Sequence, residues 1–108
     1  MGTISRADIL KRFIAERPSD PFPRYGLAQE YKNAGLLAEA RQEFDTLMRD
    51  HPDYTAAYLH AGNVSMALGA RAEAEAIYRR GIEACVRRGD GHARGELEGA
   101  LSELIGPG

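Results

Sequence analysis

Residues 21–54 and 55–88 repeat one another at a fixed offset of 34, and this period constrains the fold more than any other feature of the chain. Leu27-Ala28 answers to Ala61-Gly62, Gly35 to Gly69, Glu39-Ala40 to Glu73-Ala74, and Phe44 to Tyr78. Pro18 and Pro52 keep the same interval, so the stops recur with the apolar positions. A period of this length belongs to stacked supersecondary units, each burying its apolar face only against its neighbours.

Inside each unit the spacing predicts two helices. In the first unit Leu27, Tyr31 and Ala34 follow helical spacing up to Gly35, a residue suited to the left-handed position just past a helix end. A second helix starts near Leu37, places Ala40, Phe44, Leu47 and Met48 on one face, and stops before Pro52. In the second unit Tyr58, Ala61, Gly62 and Met66 precede Gly69, and Ala74, Ile77, Tyr78 and Ile82 form the partner stripe. Links as short as Gly35-Leu36 and Gly69-Ala70 force the paired helices to run antiparallel. Ala28, Ala40, Gly62 and Ala74 are small enough to let them approach closely.

A helix is expected before the repeats, over 3–17. Ser5 with Asp8 is a capping-box pattern, Ile4 with Ile9 has the spacing of a hydrophobic staple, and Leu10, Phe13 and Ile14 share a face. Leu10 lies 34 before Phe44, which gives this helix the place of a second helix in a unit of which it is the only part. A last helix over 90–105 is capped by Asp90, uses Leu97, Leu101, Leu104 and Ile105, and stops at Gly106-Pro107-Gly108. These outer helices would cover the apolar ends of the stack. Gly91, Gly95 and Gly99 fall on one face of the last helix, and each interior glycine costs about 1 kcal/mol relative to alanine. A weakly held cap is the expectation there, with close approach of another backbone as the alternative.

Composition narrows the function. The 108 residues fit one all-α domain spanning 1–108, and 44% hydrophobic with 28% charged residues suits a globular core. A net charge of −2 speaks against nucleic acid and against anionic membranes, both of which demand concentrated positive charge. No apolar run reaches bilayer-spanning length, and residues 1–6 lead into polar sequence with no secretory core. One cysteine excludes an internal disulfide and points to the reducing cytoplasm.

Chemistry-bearing motifs are missing. There is no phosphate-binding glycine loop, nucleophile elbow or paired metal histidine, so neither catalysis nor a cofactor is expected. His51, His60 and His92 match no metal-ligand spacing, and Cys85, near a helix end, reads as an idle thiol. Arg79, Arg80, Arg87, Arg88 and Arg94 resemble a basic cluster, but Glu75–Arg79 and Glu83–Arg87 have the spacing of intrahelical pairs on a solvated face.

The repeat resembles the tetratricopeptide repeat family, whose pattern sets a large aromatic before Leu-Gly, Tyr, Ala, an aromatic and Pro. The first unit supplies Leu27, Ala28, Tyr31, Ala40, Phe44 and Pro52, with Arg24 at the leading aromatic position and Tyr25 beside it. The second supplies Tyr58, Gly62, Ala74 and Tyr78, with Ala61 for Leu, Ser65 for Tyr and Val86 for the closing Pro. The resemblance implies an all-α, right-handed superhelix of two full repeats plus a capping helix at each end. It further implies a protein-binding scaffold whose first helices line a concave groove. Residue by residue, that groove would be formed by Phe22, Tyr25, Gln29 and Lys32 from one repeat and Leu59, Asn63 and Met66 from the other. Tyr25, Leu59 and Met66 would give an adaptable apolar patch, and Gln29, Lys32 and Asn63 hydrogen bonds to an extended peptide. Chaperone-binding members hold an acidic C-terminus with Lys, Asn, Asn, Lys and Arg. Only Asn63 matches here, with Tyr25 and Gln29 in place of the first Lys and Asn, and Gly95 and Gly99 near the last two places. The expected partner is therefore a protein or peptide of another kind. The competing readings are a self-associating assembly unit, hence a homo-oligomer, and an accessory subunit of an enzyme or secretion apparatus.

Overall fold

The computed structural model describes residues 4–106, and among these it contains six helices and no strand. They are α1 (Arg6–Glu16), α2 (Pro21–Asn33), α3 (Leu37–Asp50), α4 (Ala56–Ala67), α5 (Arg71–Arg88) and α6 (Gly91–Ile105). Each helix packs on the next in sequence, and α4 also touches α2 on one side and α6 on the other. The result is a stack measuring 55 × 28 × 19 Å with a radius of gyration of 14.4 Å. A compact domain of this length would have a radius near 13 Å.

Local chemistry fixes the helix ends. The hydroxyl of Ser5, the carboxylate of Asp20 and the carboxylate of Asp90 accept from the backbone N–H groups of Asp8, Phe22 and Ala93, each at 3.1 Å. Gly35 and Gly69 adopt the left-handed conformation at φ 78° and 79° and close the two inter-helix turns of the repeats. In each turn the residue after the glycine donates back into the last turn of the helix, Leu36 to Tyr31 at 2.9 Å and Ala70 to Ser65 at 2.8 Å. The same motif ends α5 at Gly89, where Asp90 donates to Cys85 at 2.9 Å.

A single core runs through the stack, from Ala28, Ala40, Phe44, Leu47 and Met48 through Tyr58, Ala61, Val64, Ala74 and Tyr78 to Leu97. The expectation that small residues permit close approach holds most strongly at Gly62, where an added Cβ would overlap the ring of Tyr78 and lie 2.6 Å from its Cδ1. Gly81 is a second such place, with a Cβ falling 2.5 Å from that of Tyr58 and 2.9 Å from Leu97 Cδ1. Arg24 of α2 pairs with Glu43 of α3 within the first unit at 2.5 Å, and Arg41 of α3 pairs with Glu73 of α5 across the two units at 2.6 Å.

Four details depart from the sequence reading. Phe13, expected on the buried face of α1, is 46% exposed, and Ile4 and Ile9 also stay exposed, so the staple buries neither of them. Ala34 and Ile105, expected on the apolar faces of α2 and α6, are exposed at the ends of those helices. Arg87 does not pair with Glu83; its guanidinium reaches Asp53 at 2.9 Å, because the last turn of α5 passes beside the α3–α4 turn. Finally, α5 has 18 residues against 14 in α3. Pro52 stands just past the end of α3, whereas Val86, 34 residues on, leaves the backbone free to continue for another turn.

Candidate functional site

The first helices of successive units, α2, α4 and α6, lie side by side, and a cleft of about 280 Å³ opens between them. Tyr25 from α2, Ala56, Leu59 and His60 from α4, and Ala93 and Glu96 from α6 line it, with Thr55 and Asp90 at one end. The Thr55 hydroxyl donates to the Asp90 carboxylate at 2.7 Å, tying the start of α4 to the start of α6. That bond and the Ala93 N–H hold the Asp90 carboxyl below the usual carboxylate range.

Tyr25 is the centre of the cleft wall. Its ring lies 5.4 Å from that of Tyr54 and meets His60 edge-on at 6.0 Å. The Gln29 amide donates to its hydroxyl at 3.3 Å, while the Gln29 carbonyl oxygen is buried with no hydrogen-bond partner among the described residues. Burial pushes the Tyr25 phenol up, with Glu96 adding to the effect against the Gln29 bond. Lys32 Nζ lies 3.1 Å from His60 Nδ1. An ammonium has only protons to give, so Nδ1 accepts and the imidazole is neutral in this contact. Burial first, and the Lys32 charge second, lower the His60 pKa, against a weaker opposite pull from Glu96.

The seven residues expected to line a groove do not all meet. Tyr25 and Leu59 share the cleft, and Gln29 and Lys32 join it through Tyr25 and His60. Asn63 and Met66 line a neighbouring cleft of about 330 Å³ with Arg71, Tyr78, Ala100, Glu103 and Leu104. There Asn63 Oδ1 accepts a 2.5 Å hydrogen bond from the Tyr78 hydroxyl. Phe22 stands apart, 68% exposed, in a third cleft between α1 and the start of α2. His60, Ala93 and Glu96 were not among the expected residues. His60 could have been found, since Ala56, Leu59, His60, Asn63 and Met66 follow one helical stripe.

No family model matches the chain. Its sequence is 33% identical to a tetratricopeptide repeat domain protein of Salinibacter ruber, whose crystal structure superimposes with a TM-score of 0.77 over 81% of this chain and 98% of that one. The chain belongs to the tetratricopeptide repeat family. A TPR repeat-containing protein of Pseudomonas aeruginosa is 25% identical over 95 residues, 88% of this chain and 90% of its own. The TPR2B domain of yeast Sti1, solved in complex with pHsp70, shares the fold at a TM-score of 0.85 over 92% of this chain and 79% of that one, with 14% identity. In these tetratricopeptide repeats α2–α3 and α4–α5 are the two full helix pairs, flanked by one helix at each end. Among the described residues, no helix is long and apolar enough to cross a membrane, and no group of three His, Cys, Asp or Glu could hold a metal ion. Cys85 is buried, and that burial raises its thiol pKa.

Proposed function

We propose that this protein is an interaction scaffold that holds an extended segment of a partner protein along the face formed by α2, α4 and α6. The observation that carries this reading is the cleft around Tyr25, where an aromatic ring, Leu59, a neutral imidazole and Glu96 converge from three helices. A cleft of about 280 Å³ is large enough to receive side chains of such a segment. The Gln29 carbonyl oxygen behind Tyr25 is buried and unpartnered, and it reaches a peptide N–H only if the side chain turns outward. The complex of the yeast Sti1 domain with pHsp70 supports a polypeptide ligand for this fold. The grip must differ from a clamp on an acidic C-terminus, because Tyr25 and Gln29 replace basic and amide groups and Asn63 is engaged by Tyr78. Asn63 and Met66 extend the same face toward the C-terminal ends of α4 and α6, whereas Phe22 belongs to a different surface.

Affinity capture from the native cell, followed by titration of the captured partner, tests the reading. Tyr25→Ala and Leu59→Glu should each weaken binding about tenfold or more, the loss typical of a residue at the centre of an interface. Arg79→Ala, exposed on α5, should leave it unchanged. Unaltered affinity in both cleft variants, with helix content intact, removes the groove from the binding mechanism.

A further inference from the structure

The register of the repeat shows what is unusual about the cleft between α1 and α2. Phe13 lies 34 residues before Leu47 and 68 before Gly81. Leu47 is fully buried, and Gly81 is wedged between Tyr58, from the first helix of its own unit, and Leu97, from the first helix of the next. The same position in α1 therefore calls for a first helix on one side and α2 on the other. Among the described residues only α2 is there. The uncovered side presents Ile9, Phe13 and Phe22, at 41%, 46% and 68% exposure, around a cleft of about 480 Å³, the largest of the clefts described above. Such a patch is the seat of a helix of the first-helix type.

The molecule carries one such helix without a mate. α6 packs on α5 and α4 as a first helix does, and among the described residues nothing follows it in the place of a second helix. Its outer side leaves Ile105 exposed and Leu101 only partly covered. The fit is one of shape and register rather than of charge: the cleft balances Arg6 and Arg17 against Glu16 and Asp20, and Arg6 already pairs with Glu30. We propose that α6 of one copy docks into the α1 cleft of a second copy, so that two half-units complete one repeat and the chains join head to tail. Such an interface is heterologous: its two sides are different surfaces, and repetition builds an open array rather than a closed dimer. α6 also lends Ala93 and Glu96 to the cleft around Tyr25, but Phe13 and Ile105 line neither that cleft nor its neighbour, so variants there test this proposal apart from the one above.

Sedimentation velocity on the purified protein over a wide concentration range gives the first measurement, and the average mass should rise with concentration. The decisive experiment uses two blocked variants. Phe13→Glu spoils the cleft and leaves α6 intact; Ile105→Arg spoils α6 and leaves the cleft intact. Both positions are half-exposed, so circular dichroism should show unchanged helix content. Each variant alone should sediment as a monomer, and an equimolar mixture should give a species of twice the mass and nothing larger. A wild-type protein that stays monomeric at high micromolar concentration overturns the proposal. So does a mixture that stays monomeric with both variants folded, or an Ile105→Arg protein that still dimerises alone, which would indicate cleft-to-cleft pairing.

Discussion

The two full repeats place different chemistry at equivalent positions. In the first, Ala28 and Phe44 occupy places held in the second by Gly62 and Tyr78. The larger ring of the second repeat lies directly over the missing side chain of Gly62, and its hydroxyl finds Asn63. The first repeat has room for the methyl of Ala28, its ring has no hydroxyl to satisfy, and Gln29, which stands where Asn63 does, is free to reach Tyr25. The hydroxyl that Tyr78 has and Phe44 lacks decides whether the amide beside it serves the core or the groove.

That contrast can be broken most directly at Gly62. Gly62→Ala should destabilise the fold by about 1–3 kcal/mol despite its better helix propensity, since the ring beneath it is buried and cannot swing away. In thermal melts this is a fall of roughly 4–8 °C per kcal/mol. A neutral result would mean the two repeats pack alike. The next largest effect is expected at the hydroxyl: Tyr78→Phe, which makes the second repeat resemble the first, should cost about 0.5–1.5 kcal/mol in denaturant unfolding.

Glycine substitution in α6 should have the opposite sign. A Cβ at Gly95 or Gly99 meets nothing within 4 Å, so Gly95→Ala and Gly99→Ala should each stabilise by roughly 0.5–1 kcal/mol. Ser65 occupies the place of Tyr31 and is completely buried with its hydroxyl unpartnered. Ser65→Ala should therefore gain roughly 0.5 kcal/mol, mostly from helix propensity. The smallest effect is electrostatic. The folded state lowers the His60 pKa below the ordinary value of about 6.5, so its contribution to stability is complete above that pH and is lost as pH falls toward the folded value. Between pH 7.5 and 5 the melting temperature of the wild type should drop slightly more than that of His60→Gln. Identical profiles would remove the neutral imidazole from the account of the groove.

The features legible in the sequence were those governed by local rules. Gly35 and Gly69 end helices because only a residue without Cβ enters the left-handed region cheaply, and Ser5 and Asp90 begin helices because short oxygen-bearing side chains reach the first N–H groups. The period of 34 then orders the pairs. What escaped depends on which neighbour is present. Phe13 has the right spacing for a core residue, and only the lack of a helix over it among the described residues leaves it exposed. Arg87 has Glu83 one turn away, yet the α3–α4 turn offers Asp53 in a better place. His60 and Glu96 lie on half-buried polar faces, and their roles appear only when α2, α4 and α6 are set side by side.

The overrun of α5 has a consequence for any attempt to lengthen the protein. Four added residues carry the helix about 6 Å further than its counterpart, yet α2, α4 and α6 start at 21, 56 and 91, because only two residues link α5 to α6 where five link α3 to α4. A graft of further units onto this end would therefore keep the spacing of the first helices. Replacing Val86 with proline would shorten α5, and the link to α6 would have to lengthen by as much to hold that spacing.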